Sequence, residues 1–207
     1  MQIIDNKALL LKLRDPNKVV ANIPRSKTVG DNQVVVKWGL DEAVSLNGLD
    51  IKVPSPIEGQ YQWTGRYKPF DHQISTASFL TMNKKGFCFN EQGTGKTASA
   101  IWASDYLLNE GYINRVLVIC PLSIMDSAWR DDLFTFATHR TVTVAHGSAD
   151  KRKKIIEEGS EYVIINYDGI GIVLDELREG GFDLIVVDEA THYKNARTTR
   201  WKNLKQL

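Results

Sequence analysis

A glycine-rich turn constrains this chain more than any other segment. Residues 91–97 read Glu91-Gln92-Gly93-Thr94-Gly95-Lys96-Thr97. The preceding run, Gly86-Phe87-Cys88-Phe89-Asn90, predicts a short buried strand. The following run, Thr97 to Leu108, predicts a helix with Ala100, Ile101, Ser104, Leu107 and Leu108 on one side. Strand, glycine turn and helix is the order in which backbone N–H groups curl around phosphate oxygens. Gly93 and Gly95 permit the curl, with Gln92 and Thr94 between and beside them. Lys96 brings a point charge for β- and γ-phosphates, and the Thr97 hydroxyl is placed to ligate Mg²⁺. Asn90 stands where the strict pattern has glycine.

The apolar run Leu184-Ile185-Val186-Val187 ends in Asp188-Glu189. A strand there delivers Asp188 to a metal ion and leaves Glu189 to polarise an attacking water. Lys96, Asp188 and Glu189 are therefore the catalytic candidates, and Thr97 and Asp188 the metal ligands. Together the two motifs point to a nucleoside triphosphate with Mg²⁺.

At 207 residues the chain accommodates one full core and a small accessory module. A net charge of +1 gives no global basic field, so any nucleic-acid contact must be a local track of residues. No apolar stretch approaches the ~20 residues that span a bilayer. The first residues lack the pattern of a signal peptide, so a cytoplasmic setting is expected. Cys88 and Cys120, both in apolar runs, read as reduced core thiols.

Residues 1–56 have their own texture. Leu9, Leu11 and Leu13 alternate with other side chains before Asp15-Pro16-Asn17, and Val19 to Ile23 follows, which reads as hairpin-like. Gln33 to Trp38 predicts a strand and Leu40 to Leu49 a short helix, and Pro54-Ser55-Pro56 punctuates the chain. This stretch is expected to be a small α+β accessory module, with 57–207 as the nucleotide-binding domain. From Tyr67 onward, strands and helices alternate. Helices are expected from about Phe70 to Asn83, around Met125, Trp129 and Leu133-Phe134, over Asp150–Glu158 and over Ile170–Leu177. Strands are expected over Arg115–Cys120, Thr141–Ala145, Tyr162–Asn166 and up to Asp188. That order implies right-handed βαβ units, a parallel sheet with helices on both faces, and ligands beyond the carboxyl ends of the strands.

Six segments in register carry a resemblance to a known family. They are Lys68-Pro69-Phe70-Asp71-His72-Gln73, Asn90 to Thr97, Val118-Ile119-Cys120-Pro121-Leu122-Ser123 with Trp129, Ala145-His146-Gly147, Ile164-Ile165-Asn166-Tyr167, and Val187 to Asn195. In this order they resemble the Swi/Snf-type DNA-dependent ATPases of helicase superfamily two, particularly phage and bacterial members. The resemblance implies a RecA-like lobe that binds ATP and Mg²⁺, in a bacterial or phage-infected cell. It implies that Phe70 and Gln73 meet the adenine, the latter through an amide that both donates and accepts. It also implies that Pro121, Ser123, Asn166 and Tyr167 meet DNA. Each of those four has a plainer explanation as a strand-end turn, and Trp129 reads as a core anchor. The family's acidic motif often continues Asp-Glu-Ala-His, whereas here Thr191 precedes His192. Lys151-Arg152-Lys153-Lys154 reads as a solvated helix face balanced by Glu157 and Glu158, with a nonspecific phosphate contact as the lesser alternative.

Members of this family work with two RecA-like lobes, the second supplying an arginine finger worth ~10³–10⁵ in rate. Because the sequence stops at Leu207, the expectation is the first lobe of a longer motor, weak or inactive alone. Double-stranded or branched DNA is its expected partner. A strand-separating DNA or RNA helicase and a non-catalytic nucleotide- or DNA-binding module are the alternatives. The position of residues 1–56 resembles that of accessory domains, such as the HepA-related type, that guide related enzymes to branched DNA.

Overall fold

The computed structural model describes residues 1–207. By internal contacts the chain divides into two units. The first comprises Met1–Trp63 and Pro69–Ser99, and the second Thr64–Lys68 and Ala100–Leu207. The boundary expected at residue 56 falls inside the first unit.

In the first unit, β1 (Gln2–Ile4), β2 (Ala8–Lys12), β3 (Ser26–Gly30) and β4 (Gln33–Lys37) form an antiparallel sheet in the order β1-β2-β4-β3. The β1–β2 connection turns through Asp5 and Asn6, both at positive φ, and Lys7 N–H returns to Ile4 O. Short polar side chains tolerate that conformation. Period-two alternation sends Leu9, Leu11, Val34 and Val36 to one face, where they are buried with Val19, Ile23, Trp38 and Leu46.

Val19 comes from α1 (Pro16–Asn22), a helix where the sequence suggested a hairpin arm. The local chemistry explains the difference. The Asp15 side chain accepts from Asn17 N–H at 3.1 Å, and Pro16 opens the first turn with φ already set. Next come α2 (Leu40–Gly48), α3 (Ile57–Gln60) and α4 (Asp71–Met82). Ser55 Oγ meets Thr81 Oγ1 at 2.8 Å, and Ser78 Oγ donates to Glu58 Oε1 at 2.8 Å, fixing α4 against the linker and α3.

Residues 86–90 do not form the expected strand. Phe87 and Phe89 are 73% and 88% exposed and stack on each other with centroids 5.8 Å apart. Cys88 is half-buried on this segment, not a core thiol. An apolar alternation predicts the side-chain pattern of a strand, but a strand also needs a ladder partner, and this segment has none.

The second unit contains the parallel sheet. β5 (Val116–Cys120), β6 (Val142–Ala145), β7 (Tyr162–Asn166) and β8 (Leu184–Val187) lie in the order β6-β7-β5-β8, every pair parallel. The continuous apolar runs of β5 and β7 are buried on both faces. Val116, Val118, Cys120, Tyr162 and Ile164 face one cluster, with Ile101, Met125, Trp129 and Leu133. Leu117, Ile119, Val163 and Ile165 face the other, with Ile156, Tyr167, Ile170, Val173, Leu177 and Tyr193. The first cluster is covered from α5 (Lys96–Asn109) and α6 (Asp131–Phe136), the second from α7 (Ala149–Glu157) and α8 (Leu174–Glu179). The helix expected over Ile170–Leu177 is split. A 3₁₀ segment runs from Tyr167 to Ile172, and α8 starts after Val173, whose ψ of 38° interrupts regular geometry. The last helix is α9 (Thr199–Leu204), capped by the Thr198 side chain.

Candidate functional site

In the first unit the glycine turn is built against α4. Gly93 and Gly95 have φ of +76° and +75°, the left-handed region that glycine enters without a steric cost. Gly95 is required twice over, because a Cβ there would collide with Gln73 Nε2. Gln73 itself joins two elements. Its Oε1 accepts from Phe70 N–H at 2.9 Å, closing the first turn of α4, and its Nε2 donates to Thr94 O at 3.3 Å. One lone pair and one N–H of the amide are left for a ligand edge. His72 Nε2 also meets Thr94 O, at 3.0 Å, and the His72 ring stacks with Phe70, which is 68% exposed.

Lys96, first residue of α5, bends back to donate from Nζ to Asn90 O at 3.1 Å and Glu91 O at 2.8 Å. Thr94 Oγ1 closes the turn onto Glu91 O at 2.8 Å. Asn90, the departure from the strict pattern, is tied by Nδ2 to Thr76 Oγ1 at 2.8 Å. The main-chain N–H groups of Gly93, Thr94 and Gly95 donate to no protein acceptor. A loop of unpaired N–H donors ahead of a helix start, with a lysine folded over it, fits a phosphate chain. Gln92 is exposed beside it, and Thr97 is half-buried one residue into α5.

In the second unit the carboxyl ends of the strands carry Pro121, Asn166 and Asp188. Asp188 extends β8 through its N–H to Ile119 O at 2.9 Å. Its Oδ1 accepts from Glu189 N–H at 2.8 Å and its Oδ2 from the indole Nε1 of Trp129 at 2.8 Å. Glu189 is exposed and left-handed, φ 48° and ψ 51°, a strained setting for a non-glycine residue. Trp129 is 2% exposed, as a core anchor should be, but the sequence did not reveal its bond to the carboxylate. That contact arises on a π-helical turn, Met125–Arg130, of the kind that often re-aims a side chain at functional sites.

Tyr167 is buried, and its hydroxyl donates to Asp188 O at 2.6 Å. Its ring lies 4.9 Å from that of His192 and 5.6 Å from the Arg200 guanidinium, which is held by both oxygens of Asp168. Burial, with Asp188 nearby, pushes the Tyr167 hydroxyl well above the usual phenol range. Burial and the same carboxylate push the Cys120 thiol up to about 12, which keeps it protonated and inert. Pro121 is half-buried at the end of β5, and Ser123 is exposed on the 3₁₀ turn Leu122–Ile124.

The tetrabasic segment departs from the expectation of a solvated face. Lys151 and Lys154 are exposed and Lys153 pairs with Glu176 at 2.5 Å, but Arg152 is only 5% exposed. A run of four like residues hides which one points inward, and helical phase decides it.

A parallel sheet in the order β6-β7-β5-β8 with helices on both faces is a RecA-like fold. The profile of the SNF2-related domain matches residues 33–207, and the chain belongs to that family. The SWI/SNF-related subfamily A DEAD/H box 1 homolog of Drosophila melanogaster is 28% identical over 180 residues, covering 80% of this chain and 20% of that protein. Protein p41 of Acyrthosiphon pisum secondary endosymbiont phage 1 is 29% identical over 135 residues, covering 63% and 29%. Among solved structures, the Sulfolobus solfataricus SWI2/SNF2 ATPase core in complex with dsDNA matches with a TM-score of 0.60. It is 31% identical and covers 70% of this chain and 31% of that one. The chain thus spans under a third of the length of these relatives. No helix is long and apolar enough to cross a membrane.

Proposed function

We propose that this chain is the ATP-binding lobe of a DNA-dependent ATPase that moves on or remodels double-stranded DNA, working with a second RecA-like lobe. The reading is carried by the loop Gly93–Thr97, in which unpaired N–H donors, a helix start and Lys96 converge, within a member of the SNF2-related family. The Sulfolobus relative's complex with duplex DNA supports the choice of nucleic acid.

The roles follow from chemistry. The backbone of residues 92–95 binds phosphate oxygens, and Lys96 leaves the loop carbonyls to meet the more strongly charged phosphates. Phe70 offers an exposed ring to the adenine, and the remaining valences of Gln73 read its edge. Mg²⁺, held by Thr97 and Asp188, would neutralise charge on the triphosphate. Glu189 orients the attacking water and accepts its proton. Pro121, Ser123, Asn166 and Tyr167 face or support the DNA track, and residues 1–56 form an accessory module that guides the lobe to its DNA.

The test is Mg²⁺-dependent ATP binding and hydrolysis by the chain, with and without duplex DNA, single-stranded DNA and RNA, against Lys96→Ala. ATP binding that the lysine change abolishes is expected, with slow turnover that duplex DNA favours. Equal binding by wild type and Lys96→Ala would overturn the nucleotide assignment. Stimulation by single strands alone would replace translocation on duplex by strand separation.

A further inference from the structure

The antiparallel sheet of the first unit departs from the pattern of a sheet with one wet face. Strands solvated on one side alternate apolar and polar residues, whereas unbroken aliphatic runs belong to strands covered on both sides. β2 reads Ala8-Leu9-Leu10-Leu11-Lys12, and β4 reads Gln33-Val34-Val35-Val36-Lys37. Leu9, Leu11, Val34 and Val36 lie in the buried cluster with Val19, Ile23 and Leu46. Leu10 and Val35 point to the opposite face. Both are only half-buried, and neither belongs to any of the three hydrophobic clusters of the chain.

The register shows what surrounds them. Residues directly opposite one another on antiparallel strands stand on the same face. One row across the sheet is Gln2, Leu10, Val35 and Lys27, and the next is Ile4, Ala8 and Lys37. In the row on the other side, Lys12 stands opposite Gln33. Leu10 and Val35, with the half-buried Ile4 and Ala8, thus make one contiguous aliphatic patch. Lys12, Lys27 and Lys37 stand on three sides of it, roughly 8–14 Å apart by strand and residue spacing. All three are exposed, and none enters an ion pair. The four strands contain no aspartate, glutamate or aromatic residue.

We propose that this face docks an amphipathic α-helix of a partner protein, with its apolar stripe on Leu10 and Val35 and its acidic flanks on Lys12, Lys27 and Lys37. A sheet face is ordinarily covered by the apolar stripe of a helix. A helix is about 10–12 Å across with its side chains, so carboxylates on its two flanks reach lysines at this spacing. Other occupants fit less well. A second copy of the chain would set lysine against lysine. Nucleic acid would satisfy the lysines but lay phosphates over the aliphatic centre, and the face has no aromatic ring on which a base could stack. The inference goes beyond the ATP and DNA readings above and depends on neither; it gives the accessory module a protein to recognise.

The experiment is fluorescence anisotropy with the whole 207-residue chain and three labelled probes. One is a peptide of about 18 residues with leucine at i, i+3, i+4 and i+7 spacing and glutamate on the flanks. The others are the same peptide scrambled and a DNA duplex. The patterned peptide is expected to bind about tenfold more tightly than the scrambled one. Lys27→Glu with Lys37→Glu should weaken it about tenfold at low salt and less at high salt. Leu10→Thr with Val35→Thr should weaken it about tenfold at any salt. Both pairs lie outside the core, and urea midpoints check that each variant is folded; should one not fold, the other decides. Equal binding of the two peptides, or binding of neither, overturns the proposal, as does peptide affinity unchanged in both folded variants. Duplex binding that the lysine changes abolish, with no patterned peptide bound, would give the face to nucleic acid instead. Dimers seen by light scattering and dispersed by Leu10→Thr with Val35→Thr, again with no peptide bound, would give it to a second copy.

Discussion

The indole N–H of Trp129 donates to Oδ2 of Asp188 at 2.8 Å, while the main-chain oxygen of Asp188 accepts from the Tyr167 hydroxyl at 2.6 Å. Two buried aromatic side chains on the segments after β5 and β7 therefore fix the acidic residue that ends β8. A hydrogen bond to a charged group contributes about 1.5–3 kcal/mol. Trp129→Phe keeps most of the packing and removes the bond. It should weaken Mg²⁺ binding to the nucleotide-loaded protein about tenfold, measured by calorimetric Mg²⁺ titration. An unchanged Mg²⁺ requirement would reduce the contact to packing.

The two loop glycines should differ in their tolerance of alanine. At Gly93 a Cβ meets nothing within 4 Å, so Gly93→Ala bears only the left-handed strain, roughly 1–2 kcal/mol. At Gly95 the same strain adds to a collision with the Gln73 amide, which ties α4 to the loop. Gly95→Ala should abolish ATP binding and lower stability by more than Gly93→Ala, read by urea unfolding. Equal effects would mean that the Gln73 contact does not set the loop's shape.

Asp105 anchors a buried network in the second unit. Its fully buried carboxylate meets Arg140 Nε at 2.5 Å and His139 Nε2 at 3.0 Å, and Arg140 continues to Glu161 Oε1 at 2.6 Å. Asp105→Ala removes the buried anion and leaves Arg140 with the partly exposed Glu161 alone, so it should cost up to about 3–5 kcal/mol in chemical denaturation. The double variant with Arg140→Ala should lose less than the sum of the two single changes.

Alkaline pH should destabilise the protein from about 9 upward. The folded-state pKa of Cys120 is raised from 9.0 to about 12, and that of Tyr193 from 10.0 to about 12, in both cases chiefly by burial. Groups raised in this way contribute stability that is fully present below the unfolded-state value. It is lost as pH rises toward the folded-state value, at ~1.4 kcal/mol per group per pH unit. Denaturation midpoints measured from pH 8 to 11 should fall, and Cys120→Ser should remove its share of the fall. In the same protein at pH 8, Cys88 should react with a thiol reagent long before Cys120.

The parallel-sheet half was legible in the sequence because its signals are local and reinforce one another. Val116–Cys120 and Tyr162–Ile165 are apolar runs, and the charged run from Asp150 marks α7. The chemistry of Gly93 to Thr97 and of Asp188-Glu189 is likewise written in consecutive residues. What was misread depended on partners elsewhere in the chain or on cap geometry. Phe87 and Phe89 alternate like a strand but have no ladder neighbour, and Val19–Val20 look like a strand until Asp15 and Pro16 start a helix. Trp129 gave no sign of its contact with Asp188, 59 residues away in sequence.

The sequence by itself determined the motif order and the parallel βαβ half, and it offered the glycine turn and acidic pair on which the proposed triphosphate site rests, since backbone freedom, charge and periodicity are properties of neighbouring residues. Only the tertiary structure decided which side chains those motifs use as supports: Gln73 under Gly95, Trp129 and Tyr167 on Asp188, Arg152 behind Asn166. Each of these is a hydrogen bond or a close approach between segments distant in sequence. Its energy comes from excluding water around a polar group that must then find one particular partner, and the chain's packing selects that partner.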